Sequence, residues 1–177
     1  HKQTFPRTFS HFRKTMASSS FRDMVETPAQ LPVAGLLDSD DSLTQPPIDS
    51  ICPRGGASEA QAKLTNYFNT QAASTYKLTR NQLFGRDTST GFSPWLAHGC
   101  LSPLQIISRL RQYEAVNGKN ESTEWIVFEL LWRDFFRWHA THHGKKLFEF
   151  TGVDGRRPLT SFYGERFLRW REGQTPW

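Results

Sequence analysis

The chain has 177 residues, of which 37% are hydrophobic and 14% aromatic, with 14 Phe, 6 Trp and a formal charge of +5. That is one domain's worth of length, with or without a tail, and the low hydrophobic average beside so many rings reads as a polar tail diluting an aromatic-rich core. No apolar run approaches the ~20 residues of a membrane span. Cys52 and Cys100 have neither metal-ligand spacing nor a disulfide framework, so they read as thiols of a reducing intracellular compartment. The basic balance suits a polyanion partner without requiring one.

Residues 1–53 read as an extended linker or tail carrying a short helix over Phe9–Met16, because "DSDDS" and "TQPP" offer few periodic apolar positions. From 54 to 177 helical signals follow one another without strand alternation or internal repeat. Gly55 and Gly56 break the chain, and Ser58 is predicted to cap a helix that turns Ala62, Leu64 and Phe68 toward a core. In "CLSPLQIISRLRQYEAVNG" Ser102 caps, Pro103 takes the first helical position and Gly118 terminates. Leu104, Ile107, Leu110 and Tyr113 form its apolar stripe. The third helix is predicted to start at Ser122 or Thr123, with Glu124 in its first turn, and to run to Gly144. A short last helix ends at Gly173. The fold class is all-α.

Between Trp125 and Trp138 the third helix is apolar on every face, which is the pattern of a helix central to a larger body. Glu129, Arg133 and Asp134 sit within that run. Unpaired burial of a carboxylate is strongly unfavourable. One resolution is an internal pair, since Glu129 and Arg133 are spaced i,i+4 in the favourable order. The other is a polar cavity in which Arg133 holds an anion, Glu129 accepts a hydrogen bond from a base-like ligand and Trp132 offers a stacking surface. His139, His142 and His143 close the helix without a further ligand type. They read as cations complementing its C-terminus, and no metal site is expected.

Five stretches in order, "FSHFRKTM", "RGG", "TYKLTRNQLFGRDTSTGFSPWLAHGCLSP", "NESTEWIVFELLWRDFFRW" and "FLRWREGQT", resemble the photolyase/cryptochrome family, in particular its DASH branch. The resemblance implies a chain that begins in the linker and covers the first part of a helical FAD-binding domain. It implies that Tyr76, Ser89, Thr90, Gly91, Phe92, Ser93 and Arg133 contact FAD. It further implies that Glu129 and Trp132 face a pyrimidine dimer in DNA. The chain departs from the pattern at Gly91, where DASH relatives usually carry lysine, at His98, where a large apolar residue is common, and at "WREGQTPW".

With one wall of the pocket in hand, FAD is expected to be absent or incompletely bound, and no antenna chromophore is expected. The expected role is a non-catalytic accessory or structural subunit whose 125–138 helix is covered by a protein partner, since exposing it would be an aggregation liability. The alternative is a fragment of an active blue-light flavoprotein, a photoreceptor or a deoxyribodipyrimidine photolyase. Nucleic-acid binding without flavin ranks last. By the resemblance, a chloroplast or mitochondrion is a candidate location.

Overall fold

A computed structural model describes residues 5–26, 28–30, 54–85 and 87–176. Its helices are α1 (Phe9–Met16), α2 (Ala57–Phe68), α3 (Ala72–Thr79), α4 (Ser93–Ala97), α5 (Pro103–Asn117), α6 (Glu121–His143) and α7 (Gly164–Arg171), with a 3-10 turn at Gly144–Phe148. There is no strand among the described residues, as an all-α fold requires. Of the stretch expected to be an extended linker, 1–53, residues 1–4, 27 and 31–53 lie outside the described residues, Cys52 among them. Cys100 is a half-buried free thiol. No helix of the described residues is long and apolar enough to cross a membrane.

The chain divides into two compact units, Pro6–Asp134 and a second whose described part is Phe5 with residues 135–176. In the first, α2 packs on α3 and α5. Leu64, Tyr67, Ile106, Leu110, Ile126 and Leu130 meet in the core. The Tyr113 hydroxyl is 2.7 Å from Ser74 Oγ and donates to Gln71 Oε1 at 3.1 Å, joining α5 to the start of α3. The helix α1 is docked here as well: Phe9 and Phe12 are buried, and Phe9 stacks on Trp132 at 3.7 Å with an edge contact to Phe128 at 5.1 Å.

Helix punctuation follows the sequence for α5. Ser102 and Gln105 exchange side-chain and backbone hydrogen bonds in a capping box, and Gly118, at φ +83°, stops the helix. Two expected starts move. The residue capping α2 is Gly56, at φ +96°, so Ser58 sits inside the first turn and Ala60 takes the buried place expected of Ala62, which is exposed. The helix α6 begins at Glu121, because Asn120 Oδ1 accepts from the backbone N–H of Ser122 and Thr123 at 2.9 and 3.0 Å. Thr123 Oγ1 accepts in return from Asn120 N at 3.1 Å. On α5 the buried positions are Ile106, Ile107, Leu110 and Tyr113, while Leu104 is only half-buried.

In the second unit Phe135 is buried and Phe5 stacks on it at 5.7 Å. No residue of α7 or of the 3-10 turn is buried, and Phe148, Phe162 and Trp170 stand in solvent. Removing a fully buried core side chain should therefore be far more costly in the first unit than trimming a surface one. Leu110→Ala is expected to lower stability in urea unfolding by about 2–5 kcal/mol, whereas Leu78→Ala, at 80% exposure, is expected to change it by less than about 0.5 kcal/mol.

Candidate functional site

The start of α6 is tied to α3, and that junction places the charged residues further along the helix. Asn120 Nδ2 donates to Ser74 O at 3.0 Å, Lys77 N donates to Ser122 Oγ at 3.1 Å and the Lys77 ammonium pairs with Glu121 at 2.9 Å. Two turns on, Glu129 reaches the far end of α3. Its Oε1 accepts from Arg80 Nη1 at 3.0 Å and from Trp125 Nε1 at 2.9 Å. The internal pair of Glu129 with Arg133 is not formed. Glu129 turns to Arg80 at the end of α3 and to Trp125 one turn back on its own helix, two donors on one oxygen, and Arg133 lies beside Asp134 instead, at 3.6 Å, both half-exposed.

Tyr76 joins this cluster from α3. Its ring is buried, and its phenol is held above the ordinary value of 10.0 chiefly by that burial and then by the negative charge of Glu129, with Arg80 opposing. Trp125 lies under two cations, Lys77 Nζ at 5.2 Å and the Arg80 guanidinium at 5.0 Å from its ring centre. Glu129, its partners Arg80 and Trp125, and the neighbouring Tyr76 thus form one cluster. Trp132 stands elsewhere on α6, with one face taken by Phe9. Arg80 and Trp125 were missed in the sequence. The i,i+4 relation of Trp125 to Glu129 was the available signal for one of them; Arg80 needed the packing of α3 on α6.

The loop before α4 is set by other means. Thr79 Oγ1 donates to Thr88 O at 2.8 Å, and Lys63 of α2 pairs with Asp87 at 3.4 Å. Phe92 is buried against Tyr67 and anchors the loop to the core. Ser89 and Ser93 are exposed and Thr90 is half-buried, so their hydroxyls remain on or near the surface. Gly91 adopts φ +64°, and a Cβ added there would lie 3.3 Å from Lys63 Cε and 3.7 Å from its ammonium. Small hydroxyls around a left-handed glycine with a lysine ammonium alongside suit a diphosphate from one side. The residues present fit one wall of an FAD site.

A groove of about 550 Å³ adjoins the Glu129 cluster, sharing Lys77 and Trp125 with it and lined also by Arg13, Arg111, Lys119 and Phe128 among others. Its carboxylates are already engaged, Glu121 by Lys77 and Glu124 by Lys119 at 2.8 Å. The four cations come from separate elements, and the sequence alone gave no sign of their convergence.

No family model matches the chain. It is 46% identical over 175 residues to a cryptochrome DASH of Idiomarina loihiensis, an alignment covering 97% of this chain and 39% of that protein. It is 42% identical over 123 residues to a relative from Ostreococcus tauri named cryptochrome DASH, chloroplastic/mitochondrial, covering 69% of this chain and 22% of the other. The solved Synechocystis sp. PCC6803 cryptochrome superposes with a TM-score of 0.79 at 38% identity, covering 97% of this chain and 38% of its own length. The fold is that of a segment of the photolyase/cryptochrome helical domain. The chain belongs to that family, in its DASH branch, and spans 39% of the length of the first relative it matches.

Placing a side chain on Gly91 should strain the loop twice, through its φ and through Lys63. Gly91→Ala is expected to lower stability by roughly 1–2 kcal/mol. Adding Lys63→Ala should relieve the contact but leave the backbone cost, and thermal unfolding of both variants distinguishes the two contributions.

Proposed function

We propose that this chain furnishes one wall of an FAD pocket, and the face turned to a pyrimidine dimer, in a DASH-cryptochrome-type flavoprotein. The observation that carries this is that Tyr76 and Glu129, one residue expected at the flavin and one at the substrate, lie close enough to interact electrostatically, with Arg80 hydrogen-bonded to Glu129 between the same helices. Bound FAD would supply light-driven one-electron transfer. The chain's own residues bind and orient: Ser89, Thr90 and Ser93 offer hydroxyls and the loop offers backbone N–H groups to a diphosphate, while Arg133 adds positive charge. Phe92 supports the loop from the core. Glu129, fixed by two donors on one oxygen, keeps its other oxygen as an acceptor for a base edge, and Trp132, stacked on Phe9, supplies aromatic surface on the same helix. An unpaired Cys100 suits a reducing interior, bacterial or organellar.

FAD is large, and a pocket with one wall does not retain it. Chain purified without added flavin is expected to be colourless, and FAD titrated into it is expected to bind weakly, with Arg133→Ala weakening binding further. Yellow protein with one flavin per chain would overturn the one-wall reading, and no saturable binding at all would overturn the FAD reading.

A second reading, an accessory subunit docked on partner proteins, is favoured by the exposed end of α6. There the chain leaves Phe136 59% and Trp138 57% exposed, although α1 and the core cover much of the helix before them. Burying such a side chain contributes roughly 1.5–3 kcal/mol, so a covering surface would be strongly favoured. Sedimentation at micromolar concentration is expected to show self-association, or co-sedimentation with a partner; a stable compact monomer would remove this reading.

A further inference from the structure

We propose that the imidazoles of His139 and His143 form a two-histidine site for a borderline divalent cation of the Cu²⁺, Ni²⁺ and Zn²⁺ class at the end of α6. The two residues are one turn apart on one face of the helix, and their ring centres are 4.3 Å apart. With metal–nitrogen bonds of about 2 Å, two coordinating nitrogens lie roughly 3 Å from each other, a spacing that edge nitrogens of rings this close can span.

Two further features of the cluster point the same way. The Nδ1 atom of His139 is buried with no hydrogen-bond partner, so one imidazole nitrogen is left without the group that would normally satisfy it. The His142 ring stands edge-on to His143 at 4.8 Å and stacks on Phe5 at 5.6 Å, which walls one side of the pair with aromatic surface.

Nitrogen donors without carboxylates select this class of ion over Mg²⁺ or Ca²⁺. Among the described residues no group of three or more His, Cys, Asp or Glu forms a ligand set, so water fills the remaining positions and the ion exchanges readily. Bound there, it would clamp the last turn of α6, where the helix gives way to the 3-10 turn at Gly144. This differs from cationic histidines complementing the helix C-terminus, because a ring that ligates a metal is neutral.

Calorimetric titration of the full chain with CuCl₂ and with ZnCl₂, and with MgCl₂ as control, tests the site. One Cu²⁺ or Zn²⁺ per chain is expected, with no Mg²⁺ binding. His143→Ala and His143→Gln are each expected to weaken binding roughly tenfold or more. His142→Ala is expected to change it little, and circular dichroism should show all the variants as helical as the parent. Nitrogen couplings in the Cu²⁺ electron paramagnetic resonance spectrum should be present in the parent and lost in the double variant His139→Ala, His143→Ala. Absence of saturable binding by the parent, or binding by the double variant equal to the parent's, would overturn the proposal.

Discussion

The junction between α3 and the first turn of α6 is the constraint on which the rest of the first unit depends. Asn120 closes the helix N-terminus with its own side chain and reaches Ser74 with the same amide, while the Ser122 hydroxyl accepts from the backbone of α3. Thr123, fully buried, returns the hydrogen bond to Asn120. Once that turn is fixed, the 3.6-residue period decides what each later side chain meets. Ile126 and Leu130 enter the core, Trp125 and Glu129 meet the end of α3, and Phe128 and Trp132 meet Phe9 of α1.

This explains how a segment so rich in large apolar side chains keeps its charges. Glu129 is held between elements and satisfied by two donors, while Arg133 and Asp134 lie where α6 is half-exposed. Partly exposed ion pairs of this kind contribute little to stability, on the order of 0–1 kcal/mol. Their consequence is orientation: with two donors on Oε1, the Glu129 carboxylate accepts further through Oε2.

What was legible in the sequence depended on how local the determining physics was. The α5 boundaries could be read because a serine cap, a proline at the first position and a terminal glycine act within one turn. The α6 start could not, because Ser122 and Thr123 are good capping residues too, and the choice of Asn120 is made with Ser74 of α3. The same holds for the site. Glu129 and Tyr76 were visible as members of a family pattern, but Arg80 as the partner of Glu129 follows from the way α3 lies along α6. Spacing alone favoured Arg133, a neighbour along the helix, over a residue that only tertiary packing supplies.

The two cations over Trp125 bear on its redox character. Removing an electron from that indole would create a positive charge within about 5 Å of both Lys77 and Arg80. At an effective dielectric constant near 20, each such repulsion is on the order of 3 kcal/mol before screening by solvent. The Glu129 carboxylate, hydrogen-bonded to the indole N–H, offsets about one of the two. Glu121, paired with Lys77 at 2.9 Å, offsets much of the other, so the charges around Trp125 nearly cancel and its ease of oxidation stays close to that of an indole in water.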